Sequence, residues 1–199
     1  MDALALLKKD HDTVKKLFER FERNPSKALA DKITRELSVH AVIEEQFFYP
    51  AVRQSAEKEE MEEADEQVLE ALEEHHVAKW LLAEIEKLDE DDERFEAKCM
   101  VLFESVRHHI KEEEGPLFRF VRRLLARQER EALGQAMQKA KKVAPTRPHP
   151  RAPDEPPGNI VAGGVAAVMD KSRDAIKGLV ARGNAKVRGG KQRDRGVNA

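Results

Sequence analysis

Four stretches of this chain carry apolar residues spaced alternately three and four apart, and each sets a histidine into that series. Such spacing marks the buried seam of a packed helix. The first seam is Leu4, Leu7, His11, Val14, Phe18 and Phe21. The second is Ile33, Leu37, His40, Glu44 and Phe47. The third is Val68, Leu72, His75, Ala78, Leu82 and Ile85, and the fourth is Phe95, Cys99, Leu102, Val106, His109 and Glu113. A single polar residue in a seam is enough to fix register. Four histidines and two glutamates exceed that need, and a buried carboxylate is costly unless it is paired or binds metal. A polar core without metal is therefore the lesser reading. His40 and Glu44, like His109 and Glu113, lie one helical turn apart on one face. Six inward nitrogen and oxygen donors from four helices match the way carboxylate-bridged two-metal sites are built in bundle cores. That donor set suits iron, manganese or zinc rather than Cu(I) or calcium.

The seams predict an all-α chain, with helices near residues 2–23, 27–48, 58–88 and 93–114 and a further helix or continuation near 116–142. Breaks are expected at Asn24-Pro25-Ser26, Tyr49-Pro50, Asp89 to Asp92 and Gly115-Pro116. Glycine is nearly absent before residue 144, where only Gly115 and Gly134 occur. Aromatic residues make up 5% and charged residues 37% of the chain, which favours a solvated helical bundle over a β-sandwich. The single cysteine, Cys99, rules out an internal disulfide and any Cys-rich zinc or iron–sulfur site. Cys99 reads as a small core residue and Trp80 as boundary packing.

Composition changes abruptly at Ala144. The expected organisation is a helical bundle over 1–143, a Pro-rich linker over 144–159, and a short amphipathic helix followed by a basic, largely disordered Gly/Arg/Lys-rich tail over 160–199. The formal net charge is −2, with an acidic body ahead of the basic tail. A solvated tail is the expectation, and nucleic acid is not the expected partner. No apolar run approaches the roughly 20 residues that span a bilayer. The first residues lack the charge order and apolar length of a signal peptide, so a cytoplasmic location is expected.

The seams also repeat internally. His40 and His109 are each followed by Glu-Glu at +4 and +5 and by an aromatic at +9, while His11 and His75 head matching apolar offsets. Together, Lys9-Asp10-His11, His40-x-x-x-Glu44-Glu45, Glu74-His75-His76 and His108-His109-x-x-x-Glu113-Glu114 resemble the HHE cation-binding (hemerythrin-like) family over about residues 3–125. The resemblance implies an up-down four-helix bundle with a C-terminal helical extension and a non-haem di-iron centre. In that centre two iron ions are bridged by Glu44 and Glu113 and by an oxo, hydroxo or water group, with His11, His40, His75 and His109 as terminal ligands. Two features depart from the oxygen-carrying members. Lys79 stands where they have a further histidine, and their last carboxylate sits at the position of Glu114, the alternate ligand here. Simple reversible oxygen carriage is thereby put in doubt, and an open coordination position suits small-molecule chemistry.

His76, His108, Glu45 and Glu114 read as surface or ligand-orienting groups, with Glu114 the stronger alternate ligand. Tyr49 reads as helix-end packing, with a hydrogen-bonding or redox place beside the site as the alternative. The resemblance implies a small-molecule ligand such as dioxygen, hydrogen peroxide or nitric oxide, with catalase-like turnover among the activities. A metal- or oxygen-sensing module using the tail as output is the alternative, followed by iron storage.

Overall fold

A computed structural model of the chain describes residues 1–153. It is all-helical there: α1 (Ala3–Arg23), α2 (Lys27–Ile43), α3 (Tyr49–Lys58), α4 (Glu62–Ile85), α5 (Phe95–Glu112), α6 (Phe118–Leu124) and α7 (Arg127–Ala140). The Asp2 side chain caps α1 by accepting the Leu4 amide at 2.8 Å. Ser26 caps α2 by accepting the Leu29 amide. Lys27 closes the far end of α4, donating to the carbonyls of Ile85 and Glu86, where the helix dipole favours a cation. The four long segments run up and down as a bundle, with α1 against α2 and α4 against α5.

The expected breaks at Tyr49-Pro50 and Gly115-Pro116 do not occur. Each is instead a single π-helical turn, Glu44–Phe48 and Glu113–Leu117, and the helix runs on into α3 and α6. The Tyr49 amide donates to the Glu44 carbonyl and the Phe118 amide to the Glu113 carbonyl, five residues back in both cases. Pro50 is the second residue past one widened turn and Pro116 lies inside the other. There the usual i→i−4 register is already broken, so a missing N–H costs little. The helix expected near 116–142 is in turn divided at Leu125-Ala126. Leu125 adopts an extended conformation and is buried, its carbonyl accepting from Arg130, and α7 folds back along α1.

Two apolar layers fill the bundle. One holds Phe18, Phe21, Ile33, Leu82, Phe95 and Phe103, with the Phe18 and Phe103 rings stacked at 4.0 Å. Cys99 belongs to this layer, as expected of a small core residue. The other layer holds Leu6, Phe48, Val52, Val68, Leu117, Val121 and Met137. The polar seam residues lie between them. From Ala144 to Pro153 the chain lies along α2 and α4: Ala144 and Pro148 are buried, and Pro148 and Ala152 border a small crevice with Ser38, Ala41 and Lys79. The amphipathic helix and basic tail expected over 160–199 lie outside the described residues.

Candidate metal centre

Each of the four long segments contributes one histidine to a polar slab between the apolar layers. His11 comes from α1, His40 from α2, His75 from α4 and His109 from α5. Glu44 and Glu113 open the two π turns. Such turns recur at functional sites because they redirect a side chain without ending the helix. All six side chains are buried, Glu44 completely.

Their donor atoms fall into two groups, His11, His40, Glu44 and Glu113 in one, and Glu44, His75 and His109 in the other, each within 4.8 Å. The Nε2 atoms of His11 and His40 lie 3.1 Å apart, and those of His75 and His109 lie 3.3 Å apart. Glu44 Oε2 stands 3.1 Å from His40 Nε2 and 3.3 Å from His75 Nε2, between the two groups. Glu113 Oε2 is 3.1 Å from His11 Nε2.

The opposite face of every imidazole meets a carboxylate. His11 Nδ1 lies 3.0 Å from Glu114 Oε1, His75 Nδ1 3.1 Å from Glu45 Oε1, and His109 Nδ1 2.8 Å from Glu74 Oε2. Asp10 Oδ2 is 3.6 Å from His40 Nδ1, an ion-pair separation rather than a hydrogen bond. These carboxylates have cationic partners of their own: Lys15 for Glu114, Lys79 for Glu45, and Lys141, just beyond α7, for Asp10 at 2.6 Å. His108 stands 3.7 Å from Glu74. At His11, His75 and His109 the carboxylate behind Nδ1 fixes the ring and the tautomer that presents Nε2 as a ligand.

Asp10 and Glu74 carry no role in the sequence reading, although each immediately precedes a seam histidine and the Asp/Glu-His pair recurs on α1 and α4. His76 instead accepts from the Trp80 indole, away from the slab. Tyr49 is fully buried with its hydroxyl 3.4 Å from His75 Nε2, which places the phenol beside the cluster as well as at a helix end.

The titration of these groups reflects their crowding. Burial, reinforced by Glu113, pushes the Glu44 carboxyl well above its ordinary value. Burial also raises Glu113, but its contact with His11 outweighs that and holds it at about 2. Burial lowers His40 to about 4, and burial with the neighbouring His109 holds His75 well below its ordinary value. On His11, burial is overcome by Glu113 and Glu114, and its pKa rises.

Both oxygens of Glu44 and both of Glu113 are buried without a hydrogen-bond partner. Native interiors rarely tolerate such groups, and a cation among them satisfies all four. The residues present therefore fit a metal. The family model for the hemerythrin HHE cation binding domain matches residues 2–121. The chain belongs to the hemerythrin HHE cation-binding family. This hemerythrin-like domain is similar to an uncharacterized hemerythrin-like protein of Schizosaccharomyces pombe, 33% identical over 144 residues that cover 71% of this chain and 68% of the relative. Its fold resembles the crystal structure of a hemerythrin HHE cation-binding domain-containing protein from Mycobacterium kansasii, with a TM-score of 0.61, 22% identity, and coverage of 72% of this chain and 86% of that one. Among the described residues no helix is long and apolar enough to cross a membrane.

Proposed function

We propose that this hemerythrin-like domain holds two iron ions and binds or reacts with a small molecule there, with dioxygen, hydrogen peroxide and nitric oxide as the candidates. His11 and His40 hold one ion, His75 and His109 the other, and Glu44 and Glu113 lie between them. The observation that carries this reading is Glu44 Oε2, which stands within 3.3 Å of a histidine nitrogen from each group while making no hydrogen bond. A carboxylate in that place serves two cations at once. Bound iron supplies one-electron cycling and a position for a small molecule, whereas zinc in the same donors supplies only the latter.

The chain supplies the remainder. The carboxylates behind Nδ1 orient the imidazoles, and the apolar layers exclude water and strengthen electrostatic effects inside. A cavity of about 30 Å³ lies against the four histidines and is walled by Val14, Leu37, Leu82, Val106 and Ile110. One water needs roughly 15 Å³, so the cavity suits a di- or triatomic guest. The Tyr49 hydroxyl, whose pKa burial and then Glu44 hold well above the ordinary value, stays protonated and can donate.

A sensing role is favoured by one contact. Lys141, where α7 ends, bonds Asp10 behind His40, so occupancy of the first group is linked mechanically to the C-terminal part of the chain. The test is metal content per chain with the visible spectrum, followed by peroxide consumption and nitric oxide binding. About two irons per chain, visible charge-transfer bands and catalytic loss of peroxide support the redox reading. Zinc alone, without colour, removes it.

A further inference from the structure

The two histidines that head the repeat on α1 and α4 are each followed four residues later by a lysine, Lys15 after His11 and Lys79 after His75. At that spacing the lysine shares the histidine's helix face, so Lys79 is aimed at the slab. A protonated amine has no lone pair for a metal, and Lys79 turns instead to Glu45. Its Nζ lies 2.9 Å from Glu45 Oε1, the same oxygen that lies 3.1 Å from His75 Nδ1. The α1 copy repeats the arrangement: Lys15 Nζ is 3.1 Å from Glu114 Oε1, which is 3.0 Å from His11 Nδ1. The two copies differ in solvation. The side chains of Lys79 and Glu45 are 9% and 4% exposed, against 38% and 21% for Lys15 and Glu114.

We propose that Lys79 is a positioning residue for the His75–His109 half of the centre, acting through Glu45, and that Lys15 plays the corresponding part weakly because water shares its work. The proposal rests on the two-metal reading. Glu45 adjoins Glu44 in a region that already holds two buried carboxylates. The Lys79 ammonium, 2.9 Å from Glu45 Oε1, helps to fix that oxygen on His75 Nδ1. Without that contact the carboxylate can swing away from the imidazole toward the cation, which disturbs the ring that presents Nε2. On the α1 side, solvent stabilises Glu114 whether or not Lys15 is present.

The test titrates the metal-free full-length protein and its variants with Co(II), followed by visible absorption. The wild type binds two ions. Lys79→Met weakens one of the two by about tenfold to a hundredfold and leaves the other unchanged, while Lys15→Met shifts either by less than about fivefold. In the Glu45→Gln background, Lys79→Met adds little, because the charge it balanced is gone. Lys79→Arg, which keeps the ion pair, binds both ions as the wild type does. If Lys79→Met does not fold, Lys79→Gln is compared with Lys79→Arg in its place. Equal weakening of both ions, wild-type affinities in Lys79→Met, or full additivity with Glu45→Gln overturns the proposal. A wild type that binds fewer than two Co(II) overturns the two-metal reading itself, and the proposal with it.

Discussion

Glu44 Oε2 lies 3.3 Å from His75 Nε2, although the two residues stand on different helices. The same oxygen is 3.1 Å from His40 on its own helix, so a single carboxylate touches both halves of the slab. Its removal has a different consequence from removal of a terminal histidine. Glu44→Ala is expected to lose both ions, whereas His109→Ala keeps about one per chain. Elemental analysis of the purified variants, normalised to protein, distinguishes these outcomes.

Metal binding should release protons. In the metal-free slab, burial and Glu113 favour a proton on Glu44, and the two neighbouring glutamates favour one on His11. Any proton on these side chains must leave before they become ligands. Proton release is expected on addition of Zn(II) at pH 7 in weak buffer, read with a pH indicator. Affinity consequently rises with pH. In the metal-free protein His40 works in the opposite sense to Glu44. Its folded pKa of about 4 lies below the ordinary 6.5, so the unfolded chain binds more protons between those values. Its contribution to stability therefore grows as pH rises through that window. Glu44, with a raised folded pKa, contributes stability that is lost as pH rises. Bound metal replaces the proton on Glu44 and so removes this conflict.

Tyr49→Phe keeps the packing of a fully buried ring and deletes the hydroxyl 3.4 Å from His75 Nε2. Metal content should be unchanged. The phenol stands where it can donate to a guest beside His75, so peroxide consumption by the iron-loaded variant is expected to fall at least about tenfold. An unchanged rate would return Tyr49 to a packing role.

Gly134 is where α7 meets the start of α1. A Cβ there would lie 2.4 Å from the Met1 carbonyl oxygen and 2.7 Å from the Ala3 amide nitrogen, both backbone atoms. Gly134→Ala is therefore expected to destabilise the fold by about 1–3 kcal/mol, read from urea unfolding. Because α7 places Lys141 on Asp10, the same variant should also weaken metal retention.

The seams made the helices and the inward histidines legible, because a period of three and four residues reports burial directly. The π turns were not, since Pro50 and Gly115-Pro116 are breakers in an α register and hydrophobic spacing says nothing about which carbonyl each amide reaches. The roles of Asp10 and Glu74 were not legible for a related reason, although both stand in the motif segments. One residue off a seam lies about 100° around the helix, which reads as solvent, yet each reaches across to a histidine on the neighbouring helix. Lys79 reads in sequence as a missing ligand, and its partner Glu45 is visible only once α2 and α4 are side by side. The contact of Lys141 with Asp10 spans 131 residues, a separation at which no local pattern operates.

The most direct test is a crystal structure of the iron-loaded protein with an anomalous difference map at the iron edge. Two peaks about 3.5 Å apart are expected, one against His11 and His40 and the other against His75 and His109, with Glu44 reaching both. A single peak, or peaks outside this slab, would contradict the two-metal centre.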